Sequence, residues 1–309
     1  MTDLDGAVTI NESSADVDFR VESNGDANML FVDGGNNRVL IGTAASRAMS
    51  GVTPNLFIEG NSGYNDSSLG LVVNSNSTGE IPTLLFGRSR GTSDGAVTIL
   101  QSGDRIASIR AHGADGTDFE QSAAIEFYVD ATPGANEVPG RIGFYTTPDG
   151  SQYLTEKMRI DNAGHVTKPL QSAFLANAAT MSNIAVDGAR TVTFSSEVFD
   201  QNADFNTSTY TFTAPVTGKY HLTANIRVDS VPTDATYFRV YIITSNRNIM
   251  GRIFDPDGYD STPAYDYYTA NSIVDMDASD TAYVVVYQYE GTAQADIQAD
   301  SIFSGYLVA

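Results

Sequence analysis

Ala282-Tyr283-Val284-Val285-Val286-Tyr287-Gln288-Tyr289 is an unbroken run of β-branched and aromatic residues with no helical spacing. In a strand, Ala282, Val284, Val286 and Gln288 share one face, and Tyr283, Val285, Tyr287 and Tyr289 the other. Both faces are largely apolar or aromatic, whereas a strand with one side in water shows a polar face. The expectation is that one face packs inside a sandwich and the other meets a neighbouring subunit.

Reading outward, Thr209–Ala214, Tyr220–Val228 and Tyr237–Thr244 are of the same long aromatic type. Upstream the strands shorten. Asp18–Glu22, Met29–Asp33 and Arg38–Gly42 are brief alternating runs, the last two split by Gly34-Gly35-Asn36-Asn37. Gly and Asn tolerate positive φ, so that split predicts a hairpin or tight corner. Ile106–Arg110, Ala124–Val129 and Arg141–Tyr145 also read as strands, with turns at Asp115-Gly116, Pro133-Gly134, Pro139-Gly140 and Pro148-Asp149-Gly150. Lys157–Val166 loosely echoes the Asp18–Gly35 run as a weak internal repeat. The best helical candidate, Gln171–Ala179, lacks the polar face of a surface helix. The fold class is therefore all-β. Proline at 169 breaks strand pairing and sets the main boundary. The expected domains are a short β-repeat region over 1–60, a β-rich module over 61–168 and a region of longer aromatic strands over 169–309.

The chain has 309 residues, with 38 acidic and 17 basic side chains and a net charge of -21. That excess repels phosphate backbones and anionic membranes, so neither nucleic acid nor membrane is an expected partner. Cysteine is absent, which excludes disulfides, thiolate metal sites and a Cys nucleophile. Met1–Gly6 carries Asp3 and Asp5 rather than a secretory signal, and no stretch approaches the ~18 apolar residues of a membrane span.

Two resemblances sharpen this reading. Ala173-Phe174, Glu197–Asp200, Asp204-Phe205-Asn206, Tyr210–Tyr220, Ser279–Val284 and Phe303–Val308 together resemble the C1q/TNF-type jelly-roll head. Ser279-Asp280 departs from the Gly-Asp usual in that family. Ser102–Ile106, Asp115–Phe119, Thr132–Asn136, Pro139–Ile142 and Glu156–Asp161 resemble a module of tailed-bacteriophage tail and fibre proteins. Phe19–Glu22 through Asn37–Thr43 resemble the short repeats flanking that module. The resemblances imply an elongated homotrimer: a β-rich N-terminal shaft and attachment region, then a C1q/TNF-like jelly-roll sandwich. In that family the last strand runs through the middle of the trimer. Phe212, Tyr220, Tyr283, Val285, Tyr287, Phe303 and Tyr306 are the expected trimer-interface residues. The implied function is a non-enzymatic virion appendage, assembled in the host cytoplasm: a tail fibre that binds the host surface through its knob. A capsid-anchored head fibre or decoration protein has the same build, and a polysaccharide depolymerase is the enzymatic alternative. Another virion protein would be held through the N-terminal region, and a host glycan or protein at the knob.

His112, His165 and His221 are far apart and form no metal-ligand spacing. No nucleophile elbow or phosphate loop is present, because no helix follows Gly103-Asp104 or Gly113–Gly116. A glycosidase needs two carboxylates ~5–10 Å apart, and 38 acids supply such pairs by chance. No cofactor is required. Asp255, Asp257 and Asp260 lie within six residues, and hard oxygen ligands suit Ca²⁺. That loop lacks the EF-hand Gly and Glu pattern, and a solvated acidic turn is the favoured reading, with Ca²⁺ the alternative. Tyr259, Tyr265, Asp266, Tyr267 and Tyr268 crowd the same region. Such tyrosines suit recognition of a receptor, subunit packing, or a grip on another virion protein.

Overall fold

The structure is a computed structural model that describes residue 13, residues 15–63 and residues 66–309. The Met1–Gly6 signal reading lies outside those residues. The chain divides into two compact units, Met1–Thr167 and Lys168–Ala309.

The first unit holds two sheets. β1 (Phe19–Val21), β2 (Leu30–Asp33), β3 (Arg38–Ile41) and β4 (Leu56–Ile58) form a four-stranded sheet in that order. The Gly34–Asn37 corner closes an antiparallel hairpin at Asp33 opposite Arg38. Asn37 takes φ 56°, and the Asp33 carboxylate accepts the Asn36 N–H at 2.9 Å. A Cβ at Gly34 would lie 2.6 Å from the Val17 carbonyl, so the corner needs glycine there. β5 (Arg105–Ala114), β6 (Phe119–Val129), β7 (Gly140–Thr146), β8 (Thr155–Ile160) and β9 (Val166–Thr167) form an antiparallel five-stranded sheet.

Alternation gives this second sheet two unlike faces. One carries Ile125, Phe127, Ile142, Phe144, Met158 and Ile160 in cross-strand register, all half-buried. The other carries charge. Glu126, 2% exposed, accepts from Arg105 at 3.0 Å and Arg110 at 2.9 Å, and from the Tyr128 hydroxyl. Asp130 pairs with Arg141 and Glu156 with Arg159. Between β4 and β5 the described residues form no strand. There Leu69, Leu71, Val72, Val73, Ile81, Leu84, Leu85, Phe86, Val97 and Ile99 are all exposed, Leu85 at 85% and Val97 at 94%.

The second unit is a sandwich. Its strands are β10 (Ala173–Asn177), β11 (Arg190–Thr191), β12 (Ser196–Asp200), β13 (Phe205–Asn206), β14 (Thr211–Thr213) and β15 (Gly218–Asp229). They continue with β16 (Tyr237–Thr244), β17 (Asn248–Phe254), β18 (Tyr265–Met276), β19 (Thr281–Tyr289), β20 (Asp296–Ile297) and β21 (Ile302–Leu307). One sheet runs β12-β10-β21-β15-β18, with β20 on β15. The other runs β13-β14-β19-β16-β17, with β11 on β19. Gln171–Ala179, the helical candidate, contributes β10 instead, since Phe174 and Ala176 alternate into the core.

Both sheets turn every second residue inward. Tyr220, Leu222, Ala224, Ile226 and Val228 of β15 meet Phe238, Val240 and Ile242 of β16, all at 0% exposure. Phe174 anchors one end of the core. It stacks on Phe205 at 5.0 Å and on Phe212 at 4.9 Å, and takes Phe303 edge-on at 5.0 Å. Gln288 is the polar member of the inward face of β19, and its amide is fully used. It donates to the carbonyls of Glu290 and Ala293 and accepts the Ala295 N–H at 3.0 Å.

This packing corrects part of the interface expectation. Phe212, Tyr220 and Phe303 have 0% exposure within the single chain, so they cannot face a neighbour. Their strands alternate, and these are the inward positions. Val285 lies opposite Tyr241 on the face turned from the core, yet is only 4% exposed. Tyr283 and Tyr287 are half-buried on that outer face, and Tyr306 is 50% exposed.

Candidate functional site

The tyrosine-rich segment predicted for recognition begins at the end of β17. Asp255 caps a short 3-10 turn, Pro256–Gly258, its carboxylate accepting the Asp257 N–H at 3.2 Å. Tyr259 closes the turn and leans on Phe254 at 5.2 Å, remaining 43% exposed. The chain then enters β18, whose first residues pair with the end of β15: Tyr265 opposite Asp229, Tyr267 opposite Arg227.

A small polar cluster results. Arg227 bonds Asp229 at 3.0 Å and Asp300 at 3.2 Å, and lies over the Tyr265 ring at 5.2 Å. The Tyr267 hydroxyl donates to Asp300 at 2.8 Å. That hydrogen bond to a carboxylate raises the Tyr267 phenol above its ordinary value, because ionisation would lose the donor and set two anions together. Asp266 is tied to Arg252 at 3.0 Å. Tyr265 and Tyr267 thus present exposed rings on a base held by charged hydrogen bonds.

Tyr268 does not join them. Adjacent strand residues point to opposite faces, and Tyr268 is at 0% exposure between the sheets, 5.1 Å from Phe238. Its hydroxyl has no hydrogen-bond partner among the described residues, and burial pushes the phenol strongly upward. It is a core residue and leaves the recognition set. The calcium expectation also changes. Among the described residues no three acidic or histidine side chains gather into a metal-holding group, so Asp255, Asp257 and Asp260 do not converge. The Asp255 carboxylate is occupied by its own turn.

Ser279, where the sequence departs from glycine, sits at φ 75° in the turn before β19. That is the left-handed region, which explains why glycine suits the position. Asp280 holds the turn by accepting the Asp277 N–H and the Asn246 amide, each at 2.8 Å.

Sequence reasoning missed a second aromatic group, on the outer face of the other sheet. Arg239 lies 4.6 to 5.0 Å from the rings of Tyr237, Tyr241 and Tyr287. The signal was the spacing of Tyr237, Arg239 and Tyr241 in one strand, which places all three on one face.

Comparison with known proteins gives the following. Residues 173–308 match the C1q domain family. The globular domain of zebrafish complement 1qA is 16% identical, with 45% of this chain and 98% of that one covered at a TM-score of 0.34. Murine APRIL is 12% identical, with 45% and 99% covered at a TM-score of 0.33. The carboxy-terminal domain of the bacteriophage T5 L-shaped tail fibre is 13% identical, with 46% and 59% covered at a TM-score of 0.35. No curated protein matches the sequence. No helix among the described residues is long and apolar enough to cross a membrane. With its two packed sheets and its match over 173–308, the Lys168–Ala309 unit is a C1q/TNF-like jelly-roll sandwich.

Proposed function

We propose that this chain is a structural, non-enzymatic subunit of a homotrimeric appendage of a tailed bacteriophage, a tail fibre. In this reading residues 1–168 form the shaft and the attachment to another virion protein. Residues 169–309 form the knob that binds the host surface.

The observation that carries the proposal lies in the segment between β4 and β5. Ten large apolar side chains stand in water there with no strand to support them. Exposed apolar surface costs about 25 cal/mol per Å², so a run of this length needs a cover. Backbone without a strand of its own can find it by pairing with the same segment of other copies. The half-open apolar face of the β5–β9 sheet has the same need. The C1q match supports the trimeric state, since domains of that type commonly assemble in threes. The short motifs of residues 102–161 support the phage setting.

Sedimentation of the full chain, with hydrogen exchange on the same sample, tests this. The expected result is a trimer whose amides across 69–73 and 84–86 exchange slowly. A folded monomer at low concentration, with those amides exchanging freely, would overturn it. Imaging of particles carrying a tagged chain reads location: label on the tail is expected, and label on the capsid shell refutes the tail-fibre assignment.

A further inference from the structure

The outer face of the second sheet of the sandwich carries a feature separate from the Tyr265–Tyr267 cluster, at the Tyr237–Tyr289 end of the β16–β19 pair. β16 and β19 pair with Tyr237 opposite Tyr289, Arg239 opposite Tyr287, Tyr241 opposite Val285 and Ile243 opposite Tyr283. Their alternating partners Phe238, Val240, Val284 and Val286 fill the core, so Tyr237, Tyr287, Tyr289 and Arg239 lie on the outward face, with Tyr241 beside them almost covered at 9% exposure. Tyr237 lies near-parallel to Tyr289, 5.2 Å away, and to Tyr287, 6.1 Å away. Three rings thus make a ladder beside one guanidinium.

Arg239 and the exposed Arg190 are the arginines of this unit without a carboxylate partner among the described residues, and of the two only Arg239 lies against aromatic rings. Arg227, Arg247 and Arg252 of the same unit each pair with an aspartate. Arg239 has no carboxylate partner among the described residues, although the chain carries 38 acids against 17 bases. Its Nε is buried without a hydrogen-bond partner. Its terminal nitrogens make no hydrogen bond to the described residues and keep contact with solvent. The rings hold the cation in place from the sides and leave its donor edge free.

We infer that this face binds a saccharide bearing a carboxylate, a sugar acid of the uronate type. The sugar's C–H face lies against the Tyr237, Tyr287 and Tyr289 rings, and its carboxylate meets the donor edge of Arg239. Charge complementarity selects this occupant. A neutral apolar partner would leave the guanidinium desolvated and unpaired, which is costly. A polyanion would be repelled by the net charge of -21 and by Asp187 and Glu290, which act on Tyr289 at the far end of the ladder. One carboxylate at the Arg239 end, with neutral hydroxyls toward Asp187 and Glu290, satisfies both ends.

The full chain, titrated with a trisaccharide carrying one terminal galacturonic acid on two galactose units, the neutral galactose trisaccharide and acetate, tests the inference by saturation-transfer NMR. The expected order has the acidic trisaccharide at least tenfold tighter than the neutral one, with acetate showing no transfer. Arg239→Gln is expected to lose at least tenfold. Tyr289→Ala, at the exposed end of the ladder, is expected to lose several-fold while leaving the buried part of the cluster in place. Tyr153→Ala, in the other unit, should change nothing. Equal binding of neutral and acidic sugars, no binding of either, or an Arg239→Gln variant within twofold of the parent would each overturn the inference. If Arg239→Gln does not fold, the Tyr289→Ala titration decides. Sedimentation of the same samples reads the trimer separately, so failure of one leaves the other standing.

Discussion

Replacing Phe303 by alanine separates core from interface. Phe303 sits in β21, the middle strand of its sheet, at 0% exposure. Its ring is 5.0 Å from Phe174, 5.6 Å from Phe194 and 6.1 Å from Phe205. Phe→Ala in a packed core removes transfer free energy and leaves a cavity, together about 3–5 kcal/mol. Four aromatic rings share that space, and large rigid side chains relax poorly into a void, so the upper half of the range applies. For a unit of this size the loss lowers Tm by roughly 10 °C or more. The assay is denaturant unfolding of the full chain, followed by near-ultraviolet circular dichroism from its tyrosines, since no tryptophan is present. The cost belongs to the single chain. It should therefore stay the same across a roughly hundredfold range of protein concentration, whereas loss of a subunit contact would grow with dilution. A loss below about 1 kcal/mol, or one that rises on dilution, would refute the placement of Phe303 in the monomer core.

Tyr306, three residues along the same strand, faces outward beside His221 at 5.3 Å. Tyr306→Ser should change the stability of the single chain by about 0.5 kcal/mol or less and weaken association instead, as read by sedimentation equilibrium. Ser279→Gly should stabilise the chain by about 1 kcal/mol, because glycine relieves a left-handed residue; a fall in Tm would contradict the φ of 75°. Asp104 is held well below the usual carboxylate range, first by its hydrogen bond from Arg90 and then by the Gln101 N–H. Its folded pKa is depressed, so its stabilisation is complete above the unfolded value of 3.8 and is lost as pH falls through the folded one. Asp104→Asn should flatten the acid limb of the stability curve of the first unit, and an unchanged limb would argue against the Arg90 pair.

Strand positions were legible because alternation is a local property. Tyr237–Thr244 is predicted and found with the same bounds, and Ala282–Tyr289 differs by one residue. The hairpin at Gly34–Asn37 was legible for the same reason, since its turn chemistry lies in four adjacent residues. The exposure of the tyrosine-rich segment was half legible. Tyr265 and Tyr267 reach the surface, while Tyr268 next to them turns inward.

What the sequence determined alone is the all-β class and which side chains share a face. Those follow from short-range sterics and from a period of two along each strand. Which face looks into the chain was settled only by tertiary pairing. Phe212, Tyr220 and Phe303 read as outward contacts until the second sheet closed over them. The Arg239 cluster is likewise tertiary, because Tyr287 lies 48 positions from Arg239 and meets it only through the β16–β19 register. The bare apolar run between β4 and β5 shows the converse: local sequence puts apolar side chains there, and only the folded chain reveals that the described residues leave them exposed.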